Sequence, residues 1–404
     1  MSDSTSRPLC IALVSSNGSW GGSEELWSRV ADELADGGHL VTVYKGSDPE
    51  AEPVLRRLRE RGVRVRDLHR VPLLPRRWCW KLRASRILSH AIPLARLAIG
   101  LLLSRRPDLI VISQGGNHDG VFLGELCRRK ALRYALISHK ASPVYWPSDL
   151  RREVMRRVFA GAEACYFVSE DNRSLTEQQL AMSLTRASVV RNPFLVPWDA
   201  AFGWPDSSGG FRLACVGRFN PLDKGQDLVL QVLAADRWRK RPVTVSFFGS
   251  GDKRNGLEGM ARHLGLQNVF FEGFEPDVKA IWKGHHALLL GSRAEGMPLV
   301  LVEAMLAGRV PIVTAVGGNG ELVEDGITGF LARSASVDAL DDALERAWSR
   351  REEWDAIGEA ASRSIREVIP RDPAKVMAAR LLQLVSAPEI GRRSTESRDQ
   401  TEEK

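Results

Sequence analysis

Residues 291–308 read GSRAEGMPLVLVEAMLAG, and the parsing of this stretch decides the fold. An apolar run, Ala287–Leu290, leads into it as a strand, and a loop carrying Glu295, Gly296 and Met297 follows. Pro298 suits the first turn of a helix, where the N–H that proline lacks would be unpaired in any case. The helix is expected to run to about Ala307 and stop at Gly308. Its side chains are apolar on every face, which predicts a buried helix. One charge interrupts it, Glu303. Even a neutral polar group buried without a partner costs roughly 2–7 kcal/mol, so Glu303 requires one. Two kinds satisfy it: a neighbouring Arg, Lys or backbone N–H, or a ligand hydroxyl that arrives from solution.

Working outward, the first half alternates strand and helix patterns. Strands are expected at Leu9–Ser15, Leu40–Tyr44, Val63–Leu68, Leu109–Ser113, Tyr134–Ser138, Ala164–Val168 and Ser188–Val190, with helices at Glu24–Asp36 and Ala51–Arg61. Residues 193–210, rich in Pro, Trp, Phe and a Gly/Ser cluster, read as a linker. A second series follows, with strands near Arg212–Val216, Val243–Gly249, Val269–Phe271, Ala287–Leu290 and Val310–Thr314. Its helices are expected near Gln226–Ala235, Asn255–Leu264, Pro298–Ala307 and Val337–Arg350. The alternation predicts two doubly wound α/β domains with parallel sheets, residues 1–192 and 211–368. Such sheets bind ligands at the carboxyl ends of their strands, so the cleft between the domains is the expected site. Residues 369–388 are read as a C-terminal helix and 389–404 as a disordered tail.

The 404 residues are 44% apolar and 26% charged, the composition of a soluble globular chain. A formal charge of +7 suits phosphorylated ligands or acidic surfaces. Five scattered cysteines without a CxxC pair indicate neither a disulfide framework nor a zinc site, so a reducing cytoplasm is the expected home. The polar start MSDSTSRP and the short run Leu9–Val14 do not make a signal peptide. Residues 87–103, broken by His90, Pro93 and Arg96, are rejected as a membrane span. Residues 76–106 mix Trp, Arg, Lys and aliphatics. They read either as a helix packed on the first sheet with a basic outer face or as a peripheral contact with an anionic membrane.

Three features are expected to meet in the cleft. Arg218 and Lys224 leave the end of one strand together, beside a helix start, and could grip a diphosphate. Two solvated loop cations are the alternative. Glu295 and Glu303 have seven residues between them, and Gly296 and Met297 precede a helix N-terminus whose amides face an anion. Carboxylates beside a phosphate site make sense if they hold hydroxyls on either side of it, which describes a nucleotide sugar. The Gly21-Gly22-Ser23 turn would let backbone approach the same ligand, or is a tight turn and nothing more.

At this point the chain resembles a known family. VGR with DKG, GSG (249–251), FEGF (271–274), EGMPLVLVEAMLAG and GGNGELVEDGITGFL look like the nucleotide-sugar domain of family 4 glycosyltransferases of the GT-B fold; GGSEELWSRVADELADGGHLVTV resembles that family's opening strand-loop-helix. The resemblance implies transfer from a nucleotide-diphosphate sugar to a glycan, lipid or small-molecule acceptor, with retention of configuration. It places Glu303 on the ribose hydroxyls, Glu295 on hydroxyls of the donor sugar, and Arg218 and Lys224 on the diphosphate. Amides of Met297, Pro298's successor Leu299, and Val300 would assist. Glu275 would lie near the base, and His139 near sugar and acceptor, with His118 a weaker candidate. It also implies that the C-terminal helix crosses back to the first domain. No DxD motif is present, and two fixed cations with helix dipoles can neutralise the leaving group. The expectation is therefore no metal, no cofactor and no nucleic-acid partner. The rival readings are a nucleotide-sugar epimerase or hydrolase of the same fold, and a non-catalytic binding scaffold.

Overall fold

The computed structural model describes residues 7–18, 20–46, 52–67, 106–199 and 202–386. The first sheet contains β1 (Cys10–Ser15), β2 (Leu40–Lys45), β3 (Arg64–Asp67), β4 (Leu109–Gln114), β5 (Tyr134–Ser138), β6 (Ala164–Phe167) and β7 (Ala187–Val189). They lie in the order β3-β2-β1-β4-β5-β6-β7, every neighbouring pair parallel. The second contains β8 (Phe211–Val216), β9 (Val243–Phe248), β10 (Val269–Gly273), β11 (Ala287–Leu290), β12 (Val310–Thr314) and β13 (Phe330–Ala332). Its order is β10-β9-β8-β11-β12-β13, again parallel.

Parallel strands are covered on both faces and so must be apolar on both. That is why Leu109–Ile112 and Ala287–Leu290 are unbroken apolar runs, buried throughout. Each sheet accordingly has two cores. Ile11 and Leu13 pack with Val30 and Leu34 on one face of the first sheet, and Val14 and Ile110 with Leu123 and Val158 on the other. In the second domain Leu213 and Val245 pack with Val229 and Leu344, while Leu288 and Val313 pack with Leu301 and Met305.

The helix Pro373–Ser386 buries Met377 and Leu381 in the first domain's core beside Leu26 and Val30. Arg133 fixes its end by donating to the carbonyls of Leu384 and Val385, at 2.8 and 3.2 Å. Residues 193–199 and 202–210 are held against the second domain. Phe194 and Val196 share a core with Leu301 and Met305. Arg309, 1% exposed, donates to the carbonyls of Trp282 and Gly203, each at 2.7 Å. Burial lowers its pKa to about 10.

Two expectations at helix starts are corrected. Pro298 is not in the first turn: it has φ −68° and ψ 128°, caps the helix Leu299–Leu306, and accepts from the Leu301 N–H at 3.2 Å. Its extended ψ is what turns the chain from loop into helix. Gly308 follows the end in the left-handed region, φ 69°. The first helix begins at Gly22, not Glu24, because Gly21 is extended and its carbonyl accepts from the Glu24 N–H at 2.9 Å. Gly22 and Ser23 therefore carry free amides of the first turn. Residues 68–105, with most of the basic aromatic stretch, and 387–404 lie outside the described residues. Among the described residues no helix is long and apolar enough to cross a membrane.

Candidate active site in the interdomain cleft

In each sheet the strand order reverses beside its first strand, between β1 and β4 and between β8 and β11. At such a point adjacent loops run off in opposite directions and leave a crevice at the strand ends. The loops there are 15–23 and 113–120 in the first domain, and 217–225 and 291–298 in the second. They contain most of the residues singled out above.

The two domains meet through these loops. A Cβ built on Gly22 would stand 3.1 Å from Leu299 Cδ1, so the N-termini of the helices Gly22–Asp36 and Leu299–Leu306 face each other. Two free helix N-termini aimed at one space favour an anion there. A Cβ on Gly296 would fall 1.8 Å from the carbonyl oxygen of His139, which makes this the tightest approach between the domains' loops among the described glycines. Lys140 Nζ donates to Asp223 Oδ2 across the cleft at 2.9 Å. Glu321 accepts from the Asp171 N–H at 2.9 Å and pairs with Arg191 at 3.3 Å.

Lys224 and Glu295 are paired: Nζ lies 2.7 and 2.8 Å from the two carboxylate oxygens. Ser292 Oγ also donates to Glu295, at 2.7 Å. The carboxylate beside an anion site, odd in the sequence, thus has its counter-charge built in. Their loops are stapled together. The Arg293 and Ala294 amides donate to the Asp223 carbonyl at 2.8 and 3.1 Å, and Arg293 forks onto Asp227 at 2.7 Å to each oxygen. Behind them the Gly318 N–H donates to the Gly296 carbonyl at 2.6 Å. A Cβ on Gly317 would stand 2.3 Å from the Glu295 carbonyl, and its φ of 55° favours glycine in any case.

Glu303 is 4% exposed, and its Oε1 accepts from the Leu195 N–H at 3.0 Å. Burial raises its pKa to about 7, with Leu195 opposing; Glu25 and Arg29 of the first helix add smaller effects of opposite sign. The folded chain therefore holds a proton that the unfolded chain releases above its usual 4.5. This contribution to stability is full below 4.5 and is lost as the pH rises through about 7. Glu303→Gln, which cannot ionise, is expected to flatten the fall in stability between about pH 4.5 and 7. Denaturation series at several pH values read this directly, and a parental slope in the variant would refute it.

His139 follows β5 and is 6% exposed. Its Nε2 is 3.2 Å from Ser113 Oγ, and burial holds its pKa near 4. It is neutral at physiological pH. His118 sits at the rim against Tyr145, ring centroids 5.9 Å apart, with its pKa lowered by burial against the pull of Asp119. Glu275 stands apart from the cluster. Its carboxylate accepts from the Asp277 N–H at 2.8 Å on the loop after β10. Arg218 follows β8, its carbonyl accepting from Gln226 Nε2 at 2.8 Å, and its charge reaches Glu24 across the cleft. Three participants were missed in the sequence: Ser292, the Lys140–Asp223 bridge and the buried Glu24. Only Glu24 had a visible signal, a charge directly after the GGS turn. Among the described residues no group of three or more His, Cys, Asp or Glu gathers where it could hold a metal ion.

Two facing Rossmann-like domains with an anion-directed cleft define the GT-B class of fold. The family model for glycosyl transferases group 1 matches residues 202–364, and that for the glycosyl transferase 4-like domain matches residues 21–193. The chain belongs to the family 4-like glycosyltransferases of the GT-B fold. It is 29% identical over 262 residues to a GDP-mannose-dependent alpha-(1-6)-phosphatidylinositol monomannoside mannosyltransferase of Mycolicibacterium smegmatis, covering 59% of this chain and 66% of that protein. It is 35% identical over 149 residues to glycogen synthase of Xanthomonas oryzae, 37% of this chain and 29% of the synthase. The matches thus span less than two thirds of either relative. Among solved structures, Anabaena HepE in complex with UDP and glucose superposes with a TM-score of 0.74 at 19% identity, over 93% of this chain and 99% of that one. Sucrose-phosphate synthase from Thermosynechococcus elongatus gives 0.72 at 17%, over 93% and 98%.

Proposed function

We propose that the protein transfers a hexosyl group from a nucleotide-diphosphate sugar, bound on the second domain, to an acceptor held against the first, with retention of configuration. The observation that carries this reading is the convergence of two helix N-termini with Lys224 and Arg218 at facing switch points. Solved structures of HepE hold UDP and UDP-glucose, which supports a nucleotide-sugar donor. The matched relatives act on a phosphatidylinositol mannoside or make glycogen, so the acceptor class spans lipid-linked sugars and glycans.

In this reading Lys224, Arg218 and the amides of Gly21–Ser23, Met297, Leu299 and Val300 hold the diphosphate and stabilise it as it leaves. Glu303 takes the ribose hydroxyls, Glu295 those of the sugar, and the loop at Glu275 lies toward the base. His139, neutral, hydrogen-bonds near the sugar. Fixed cations and helix dipoles do the charge neutralisation, so transfer needs no divalent metal. The cleft closes over the donor to align it and exclude water. The site is cytoplasmic in this reading.

A thermal-shift series with UDP, GDP, ADP and their sugars tests the reading. A hundredfold excess over Kd stabilises by about 2.7 kcal/mol, enough for an upward shift of several degrees. The shift and the turnover are expected to survive EDTA. No shift with any nucleotide favours the non-catalytic scaffold, donor consumption without acceptor favours the epimerase or hydrolase, and loss of activity in EDTA restored by manganese refutes metal independence.

A further inference from the structure

Next to the Gly21–Ser23 turn lies a buried charge pair, Glu24 and Lys45, that takes no part in the transfer as proposed. Glu24 is fully buried, and Lys45, at the end of β2, is 1% exposed. Glu24 Oε1 accepts from Ser15 Oγ at 3.2 Å, at the end of β1. Its Oε2 accepts from Ser23 Oγ at 2.6 Å and from Asn17 Nδ2 at 3.4 Å. Lys45 Nζ donates to the Asn17 carbonyl and stands 3.8 Å from Glu24 Oε1. One carboxylate therefore holds the strand end, the middle of the loop and the first turn of the helix.

Burying such a pair is costly, and apolar residues of similar volume are often as stable or more so. The neighbours Leu26 and Trp27 show that this helix otherwise buries apolar side chains on the first sheet. The pair is thus poorly explained by stability. A second observation points outward. Burial raises the Glu24 pKa, and among the charges that oppose it are Lys45 and, across the cleft, Arg218. The turn that Glu24 supports touches Leu299 at the opposite helix start, by way of Gly22.

We propose that Glu24 is a positioning residue of the transfer site: by tying the end of β1, the loop and the first helical turn together it fixes the Gly21–Ser23 amides at the cleft, where they meet the diphosphate. Glu24 does not touch the donor itself. It acts through the loop, whose two ends it ties. The inference rests on the donor reading above.

Glu24→Gln keeps the size and an acceptor oxygen but removes the charge. The donor KM is expected to rise about tenfold while kcat changes less than threefold, and Glu24→Asp is expected to recover at least half of the loss. A Glu24→Gln enzyme with parental KM and only a lower Tm would overturn the proposal, leaving Glu24 a structural residue. If that variant does not fold, Ser15→Ala reads the same carboxylate by removing one of its donors. A KM raised about threefold is then expected, and a parental KM overturns the proposal. Parent protein that binds no sugar nucleotide would instead count against the donor reading, so the two failures are distinguishable.

Discussion

Lys224→Ala is expected to lower kcat by about 10²–10³-fold, the usual effect of removing one fixed group that stabilises charge developing in a transition state. The ammonium follows β8 on the loop 217–225 at the second sheet's switch point and is the counter-charge of Glu295 at 2.7 Å. Its removal has a second effect. Glu295, 5% exposed, is then left with the Ser292 hydroxyl as its side-chain donor among the described residues. A nearly buried carboxylate stripped of its cation destabilises the fold, so Tm is expected to fall as well. The two effects separate in a double variant. Lys224→Ala with Glu295→Gln should recover much of the Tm and none of the kcat, since the neutral amide tolerates burial but supplies no cation. A single variant within threefold of parental kcat would remove Lys224 from the diphosphate site.

Gly296→Ala is expected to abolish most transfer, by at least about 10²-fold, since a displacement near 1 Å in a catalytic arrangement costs on that order. The added Cβ would stand 1.8 Å from the His139 carbonyl oxygen and 2.9 Å from Val168 Cγ2. The first obstacle is backbone at the end of β5, so no rotamer change relieves it. Either the Glu295–Met297 loop shifts or the domains part, and both displace Glu295 and the helix start at Leu299 together. Gly256→Ala supplies the control. It lies within the helix Arg254–His263 with nothing within 4 Å of its Cβ, and is expected to leave activity unchanged while stabilising by roughly 0.5–1 kcal/mol. Parental kcat/KM in Gly296→Ala would show that this approach is not needed for turnover.

Much of the fold was legible because its signals are local. Parallel strands covered on both faces carry unbroken apolar runs, and Gly37, Gly308 and Pro298 punctuate the helices beside them. The ends were less legible. Whether Pro298 caps the helix or enters it depends on one ψ angle, and the start at Gly22 depends on the extended conformation of Gly21. The candidate site was legible by residue type. Arg218, Lys224, Glu295 and Glu303 were visible as charges where a loop or an apolar helix gave them no local partner. What each one pairs with was not visible. Glu303 meets the Leu195 amide, 108 positions away, one of the partners left open in the sequence.

The stretch 291–308, with the two alternating series around it, was enough by itself to determine two doubly wound domains, a cleft between them and a set of cations and carboxylates at its edge. Those properties follow from side-chain period and from the residues that can start or stop a helix. Only the tertiary structure decided that Lys224 neutralises Glu295, that His139 presses on Gly296, and that a buried Glu24 underlies the glycine turn. The physical reason is that sequence shows which groups need a partner, because burial of charge is costly, whereas the partner's identity depends on which strand ends the two sheets bring within 3 Å or so.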